Sequence, residues 1–113
     1  MKILSILTHD PASVHMPGPE DYQKMQALIA EMKSNGALID TGGAMPGSLE
    51  MRISRRNGKD AITDGPFAEA KEVVGGFALM DVASRDEAIE WTRRFLDLVG
   101  EGGTCELHEV STA

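Results

Sequence analysis

Asp64-Gly65-Pro66-Phe67-Ala68-Glu69-Ala70-Lys71-Glu72-Val73-Val74-Gly75-Gly76-Phe77, residues 64–77, divides this chain into two halves. Asp-Gly-Pro is a turn signal. Asp accepts nearby backbone N–H bonds, Gly supplies free φ, and Pro stiffens the exit. A charged segment follows, and Gly75-Gly76 opens an apolar strand reaching Val82. The turn therefore closes the pairing upstream of it and starts a strand of the main sheet.

Upstream, residues 49–55 and 59–63 flank Asn57-Gly58. That dipeptide predicts a two-residue hairpin turn, because both central positions need positive φ. Gly42-Gly43 and Pro46-Gly47 mark a loop before it, and Ala37-Leu38-Ile39-Asp40 reads as a short strand. Tyr22, Met25, Leu28, Ile29 and Met32 recur at three- and four-residue steps and predict a helix over Glu20–Asn35. Pro19 suits its first turn, Glu20 and Asp21 suit its dipole, and Gly36 sits at the left-handed cap. Residues 2–8 are a strand with apolar side chains on both faces, Leu4 and Ile6 on one and Ile3 and Leu7 on the other.

Downstream, Ser84-Arg85-Asp86-Glu87 is a capping box that starts a second helix. Ala88, Ile89, Thr92, Phe95, Leu96 and Val99 form its inner face, and Gly100-Glu101-Gly102-Gly103 ends it. Thr104–Val110 is the last strand. The order is strand, helix, strand, hairpin, strand, helix, strand. It predicts an α+β fold, a ferredoxin-like sandwich with an inserted β-hairpin, as one domain over 1–113. Two helices cover one sheet face, yet strands 3–7 and 77–82 are apolar on both. A second copy is the simplest cover for the other, which predicts a homodimer.

The 113-residue length allows one modest core, with about 65% of the unfolded surface buried. Hydrophobic content of 42% argues against disorder. A net charge of −7 and a pI near 4.8 argue against direct nucleic-acid binding. Cys105 is the only cysteine, so no intrachain disulfide forms, which fits a reducing cytoplasm. The apolar run at the start is too short for a signal-peptide core or a membrane span.

Residues 64–77 resemble the hallmark motif of the DGPF family, the YCII-related proteins. The amino-terminal apolar run, the Gly36 break, the basic hairpin before Asp64 and the final capped helix fall in that family's order. The resemblance thus covers nearly the whole chain. It implies a dimeric α+β barrel. It also implies association with sigma factors of the extracytoplasmic-function type in transcription initiation. In the wider group the implied active centre pairs a His on the first helix with an Asp in an Asp-Pro-Tyr element after the second. Here Glu20–Asn35 contains no His, and Phe95-Leu96-Asp97-Leu98-Val99-Gly100 has Asp97 but neither Pro nor Tyr. That centre does not carry over, and any chemistry rests on other residues.

Asp64 has two readings, a turn cap or a carboxylate that anchors substrate or accepts its proton. Pro66 and Phe67 follow as pocket-lining candidates, and Phe67 also suits a core plug. Lys71 holds an anion in one reading and belongs to a solvated cluster with Glu69 and Glu72 in the other. Arg52, Arg55, Arg56 and Lys59 concentrate positive charge in the hairpin, as a solvated face, an anion contact or a partner edge. His9 ends the first strand and is a second acid–base candidate, although His9 and the adjacent Asp10 point in different directions. Gly75-Gly76 marks either a close approach of backbone or ligand, or a strand bulge. His9, His15, His108 and Cys105 lack metal-ligand spacing, so no metal is expected.

Two functions follow. One is a small enzyme or binder acting on a small organic acid by proton transfer or elimination, chemistry that requires no cofactor. Its site is the Asp64 segment, where Asp64 and His9 act and Arg52 or Lys71 steadies the anion. Muconolactone-isomerase-like and dehalogenase-like dimeric barrels are the fold-level analogy. The other is a regulatory contact module without catalysis, its surface formed by hairpin 49–63 and the charged segment.

Overall fold

The computed structural model describes residues 1–10, 18–45, 49–65 and 73–112. Its elements are β1 (Lys2–His9), α1 (Pro19–Ser34), β2 (Leu38–Gly43), β3 (Met51–Arg56), β4 (Lys59–Asp64), β5 (Val73–Asp81), α2 (Arg85–Val99) and β6 (Gly103–Glu109). β2-β5-β1-β6 form an antiparallel four-stranded sheet, while β3 and β4 pair as a separate two-stranded ribbon. With the ribbon set aside, the central strands are the first and third in chain order. This is the ferredoxin-like arrangement that the element order predicts.

Local chemistry accounts for the helix ends. Pro19 occupies the first turn of α1, and the Asp21 carboxylate accepts from the Gly18 N–H at 3.2 Å. At the other end Gly36 takes φ +80°, and the Ala37 N–H donates to the Met32 carbonyl at 2.8 Å while Gly36 N–H donates to Lys33. Those two bonds turn the chain directly into β2. At α2, Ser84 Oγ accepts from the Glu87 N–H at 3.1 Å. Glu87 reaches one residue further back than a simple capping box requires, accepting from the Ala83 N–H at 2.8 Å.

The core lies between the helices and one sheet face. Ile3, Met80 and Leu38 from the sheet meet Leu28 and Met32 from α1 and Ala88 from α2, all buried. Ile3 pairs with Met80 and Leu38 with Met80, so strand register brings the three into one layer. Arg94 of α2 grips Glu31 of α1 with both guanidinium arms, one at 3.0 Å, and lies 5.0 Å above the Trp91 ring centre.

Three local readings need correction. Gly42 and Gly43 are not loop residues: β2 continues through them, paired with Phe77 and Gly76. Tyr22 is not on the inner face of α1 but 62% exposed, because the helix meets the sheet from Met25 onward. β5 starts at Val73, two residues before the Gly pair.

Candidate functional site

The sheet carries a register irregularity beside the glycines. Leu7 pairs with Gly76 but Thr8 with Val74, so Gly75 is an extra residue in β5. A Cβ on Gly76 would lie 2.6 Å from the Gly42 carbonyl oxygen, closer than packing allows. Both alternatives read from the Gly pair therefore hold, the bulge at Gly75 and the close backbone approach at Gly76. Gly43 faces the same point, and the Ala44 N–H donates to the Gly75 carbonyl at 2.9 Å.

These four glycines border a cavity of about 490 Å³ between the helices and the sheet. Its helix side is apolar, with Met25, Ile29, Met32, Trp91 and Phe95. Its sheet side adds Leu7, Leu38, Ala78 and Met80. Polar lining residues are few: Ser5, Thr41, Thr92, and the exposed Gln26 and Lys33. Lys33 is the only charged residue among the described residues lining it. Thr41 has its hydroxyl committed to the Phe77 carbonyl at 2.8 Å. Ser5 is buried. Burial pushes the Cys105 thiol up, and Ser5 partly offsets this.

His9 stands beside this cavity. A Cβ built on Gly75 would lie 2.8 Å from His9 Nδ1 and 3.1 Å from Leu7 Cδ2, so the imidazole rests over the bulge glycine next to a cavity-lining leucine. His9 is half-buried. Asp64 is exposed at the end of β4, opposite Met51. Arg52 pairs with Thr63, which puts Arg52 and Asp64 on opposite faces of the ribbon. Pro66, Phe67 and Lys71 lie outside the described residues, as does His15. The segment that starts at Asp64 resumes at Val73, three residues from the buried Gly76.

The helix–sheet cavity itself escapes sequence reading. Its lining is spread over five elements, and its apolar residues are indistinguishable from core residues until the helices are placed. The glycines were the usable signal. Among the described residues, no group of three His, Cys, Asp or Glu is placed to hold a metal ion. No helix among them is long and apolar enough to cross a membrane.

Comparison with known proteins gives a family and a relative. The relative is the uncharacterized protein R00369 of Rhizobium meliloti (strain 1021), 30% identical over 95 residues, spanning 81% of this chain and 77% of that protein. The YCII-related domain matches residues 1–108, from β1 to the penultimate residue of β6. With that match over nearly its full length and the antiparallel α+β fold in agreement, this chain belongs to the YCII-related domain family.

Proposed function

We propose that this protein binds a small, mostly apolar organic acid in the cavity between its helices and its sheet. The observation that carries this reading is the cavity wall. It encloses about 490 Å³, is largely apolar, and has one charged side chain, Lys33, which is positive in a chain of net charge −7. That volume falls within the roughly 300–1,000 Å³ typical of small-molecule sites. The carboxylate pairs with Lys33 near the end of α1, and the apolar body lies among Met25, Ile29 and Phe95. His9, at Gly75, is the acid–base group for proton transfer or elimination. Asp64, Pro66, Phe67, Lys71 and Arg52 are further proposed substrate contacts of this protein. The working unit is a homodimer, supported by the apolar outer sheet face of Leu4, Ile6, Phe77 and Leu79.

The test is a thermal-shift and calorimetric screen of aromatic and medium-chain carboxylates beside their neutral amides. Carboxylates should raise Tm more than the amides, Lys33→Met should remove that preference, and Ala78→Leu should abolish binding by filling the cavity. Equal binding of acids and amides, or binding that survives Ala78→Leu, overturns the reading.

A regulatory contact module without catalysis is the second reading. It is favoured by the β3–β4 ribbon, where every residue but Ser54 is exposed. Binding of a purified extracytoplasmic-function sigma factor to the wild-type protein tests it, and no complex at micromolar concentration rejects it.

A further inference from the structure

We infer that Gly43 is a specificity position of the proposed site, its bare main chain at the cavity mouth seating the flat face of an aromatic acid. The inference rests on the reading of the cavity above and narrows its ligand from small organic acids to planar ones.

Four glycines line this end of the cavity, and packing accounts for three of them. A Cβ on Gly42 would lie 2.8 Å from Phe77 Cε1, and one on Gly75 2.8 Å from His9 Nδ1. One on Gly76 would lie 2.6 Å from the Gly42 carbonyl oxygen. Each of these positions is closed by an atom already in place. Gly43 is different. Beyond its chain neighbours, the only atom among the described residues within 4 Å of its Cβ would be the Gly75 carbonyl oxygen, at 3.7 Å. That is an ordinary contact. Nor does Gly43 take the positive φ that favours glycine.

Gly43 is still a paired strand residue, opposite Gly76 in β2–β5. The ladder runs past it to the bond from the Ala44 N–H to the Gly75 carbonyl at 2.9 Å, so this is not a frayed end. Glycine inside a strand weakens it, and often marks a place where a ligand or another backbone comes close. No backbone stands over Gly43 among the described residues. Its partner Gly76 alternates with Ala78 and the buried Met80, which puts Gly43 on the cavity side of the sheet. Gly43, Gln26 and Lys33 all line the cavity and are all exposed, so they mark its open side.

The walls select what lies against that main chain. The helix wall carries Trp91 and Phe95, whose rings favour an aromatic neighbour in offset or edge contact. A planar ring touches bare main chain over its whole face, and dispersion grows with every atom pair in contact. A saturated ring meets the same surface only through its axial hydrogens. An aromatic acid whose carboxylate reaches Lys33 is thus preferred to a saturated acid of the same size.

The test reads stability and binding in the same variant. Gly43→Ala should raise the urea midpoint, because the methyl meets no obstacle and the unfolded chain loses freedom. In calorimetry the wild type should bind phenylacetate about tenfold more tightly than cyclohexylacetate. Gly43→Ala should weaken phenylacetate about tenfold and remove most of that preference. A merely structural glycine would not give more stability with less binding. A variant less stable than wild type overturns the inference, because the fold then needs glycine there. Unchanged phenylacetate affinity in Gly43→Ala, or a wild type that prefers cyclohexylacetate, also overturns it. Either result leaves the carboxylate reading intact if Lys33→Met still removes the preference for acids over amides. If phenylacetamide binds as well as the acid and Gly43→Ala weakens both, the acid reading falls and the Gly43 seat stands. A wild type that binds none of these ligands overturns both.

Discussion

The His9 imidazole covers Gly75, with Nδ1 2.8 Å from where a Cβ on that glycine would lie. A methyl group at Gly75 must displace the ring, which is the end of a movable side chain. At Gly76 the obstacle is the Gly42 carbonyl at 2.6 Å, which is main chain held in the β2–β5 ladder. Gly75→Ala should therefore cost about 1 kcal/mol and Gly76→Ala about 3 kcal/mol, the two ends of the usual overpacking range. Urea midpoints of the two variants measure this, and an equal or reversed order contradicts it.

Asp64 tests what the Asp-Gly-Pro turn is for. It is exposed at the end of an exposed strand. Replacement by Ala should change stability by less than about 0.5 kcal/mol, as at most surface positions. A loss of about 1–2 kcal/mol in denaturant curves at several protein concentrations would instead identify a turn cap.

Acid should loosen the contact between the helices. The hydrogen bonds from Arg94 hold the Glu31 carboxyl below the ordinary carboxylate range, against a small opposing effect of desolvation. A carboxyl lowered in the folded state contributes stability above its unfolded pKa and loses it as pH falls through the folded value. Glu31→Gln should therefore be less stable than wild type at neutral pH, and the gap should close well below pH 4. Both groups face solvent, so the gap should also shrink in high salt. A gap independent of pH would show that packing, not charge, links the helices there.

The Cys105 thiol should react slowly. Burial raises its pKa and the Ser5 hydrogen bond partly lowers it. The pH–rate profile for alkylation should turn over above the ordinary thiol value of about 8.5. Ser5→Ala should move the inflection higher still, since the thiolate then loses its donor. An inflection below the ordinary value would place an unrecognised cation near the sulfur.

Most of the fold was legible because it is written in short-range chemistry. Gly36, Ser84 with Glu87, Asn57-Gly58 and Gly100 each fix a helix end or a turn through one or two local bonds. The apolar run of residues 3–7 likewise marked a sheet strand, and β1 lies between β5 and β6. What failed was tertiary. Gly42-Gly43 looked like a loop because glycine has low strand propensity, yet the ladder with β5 carries β2 through them. Tyr22 fitted the helical period but lies beyond the part of α1 that meets the sheet. The site was less legible than the fold. His9 was selected as the end of a strand, and the structure puts it over Gly75 at the bulge. Arg52 and Asp64 were read into one site, but strand alternation puts them on opposite faces of the ribbon.

The four facing glycines have an evolutionary meaning. At Gly42, Gly43, Gly75 and Gly76 the cavity wall is main chain, so no side chain at those four positions is free to drift. Diversification within such a protein is open at the helix wall, where Met25, Ile29 and Phe95 sit on helices that can exchange side chains without disturbing any strand pairing. The scaffold thus separates a fixed half from a variable half. A change in what the proposed site accepts need not begin with a loss of fold.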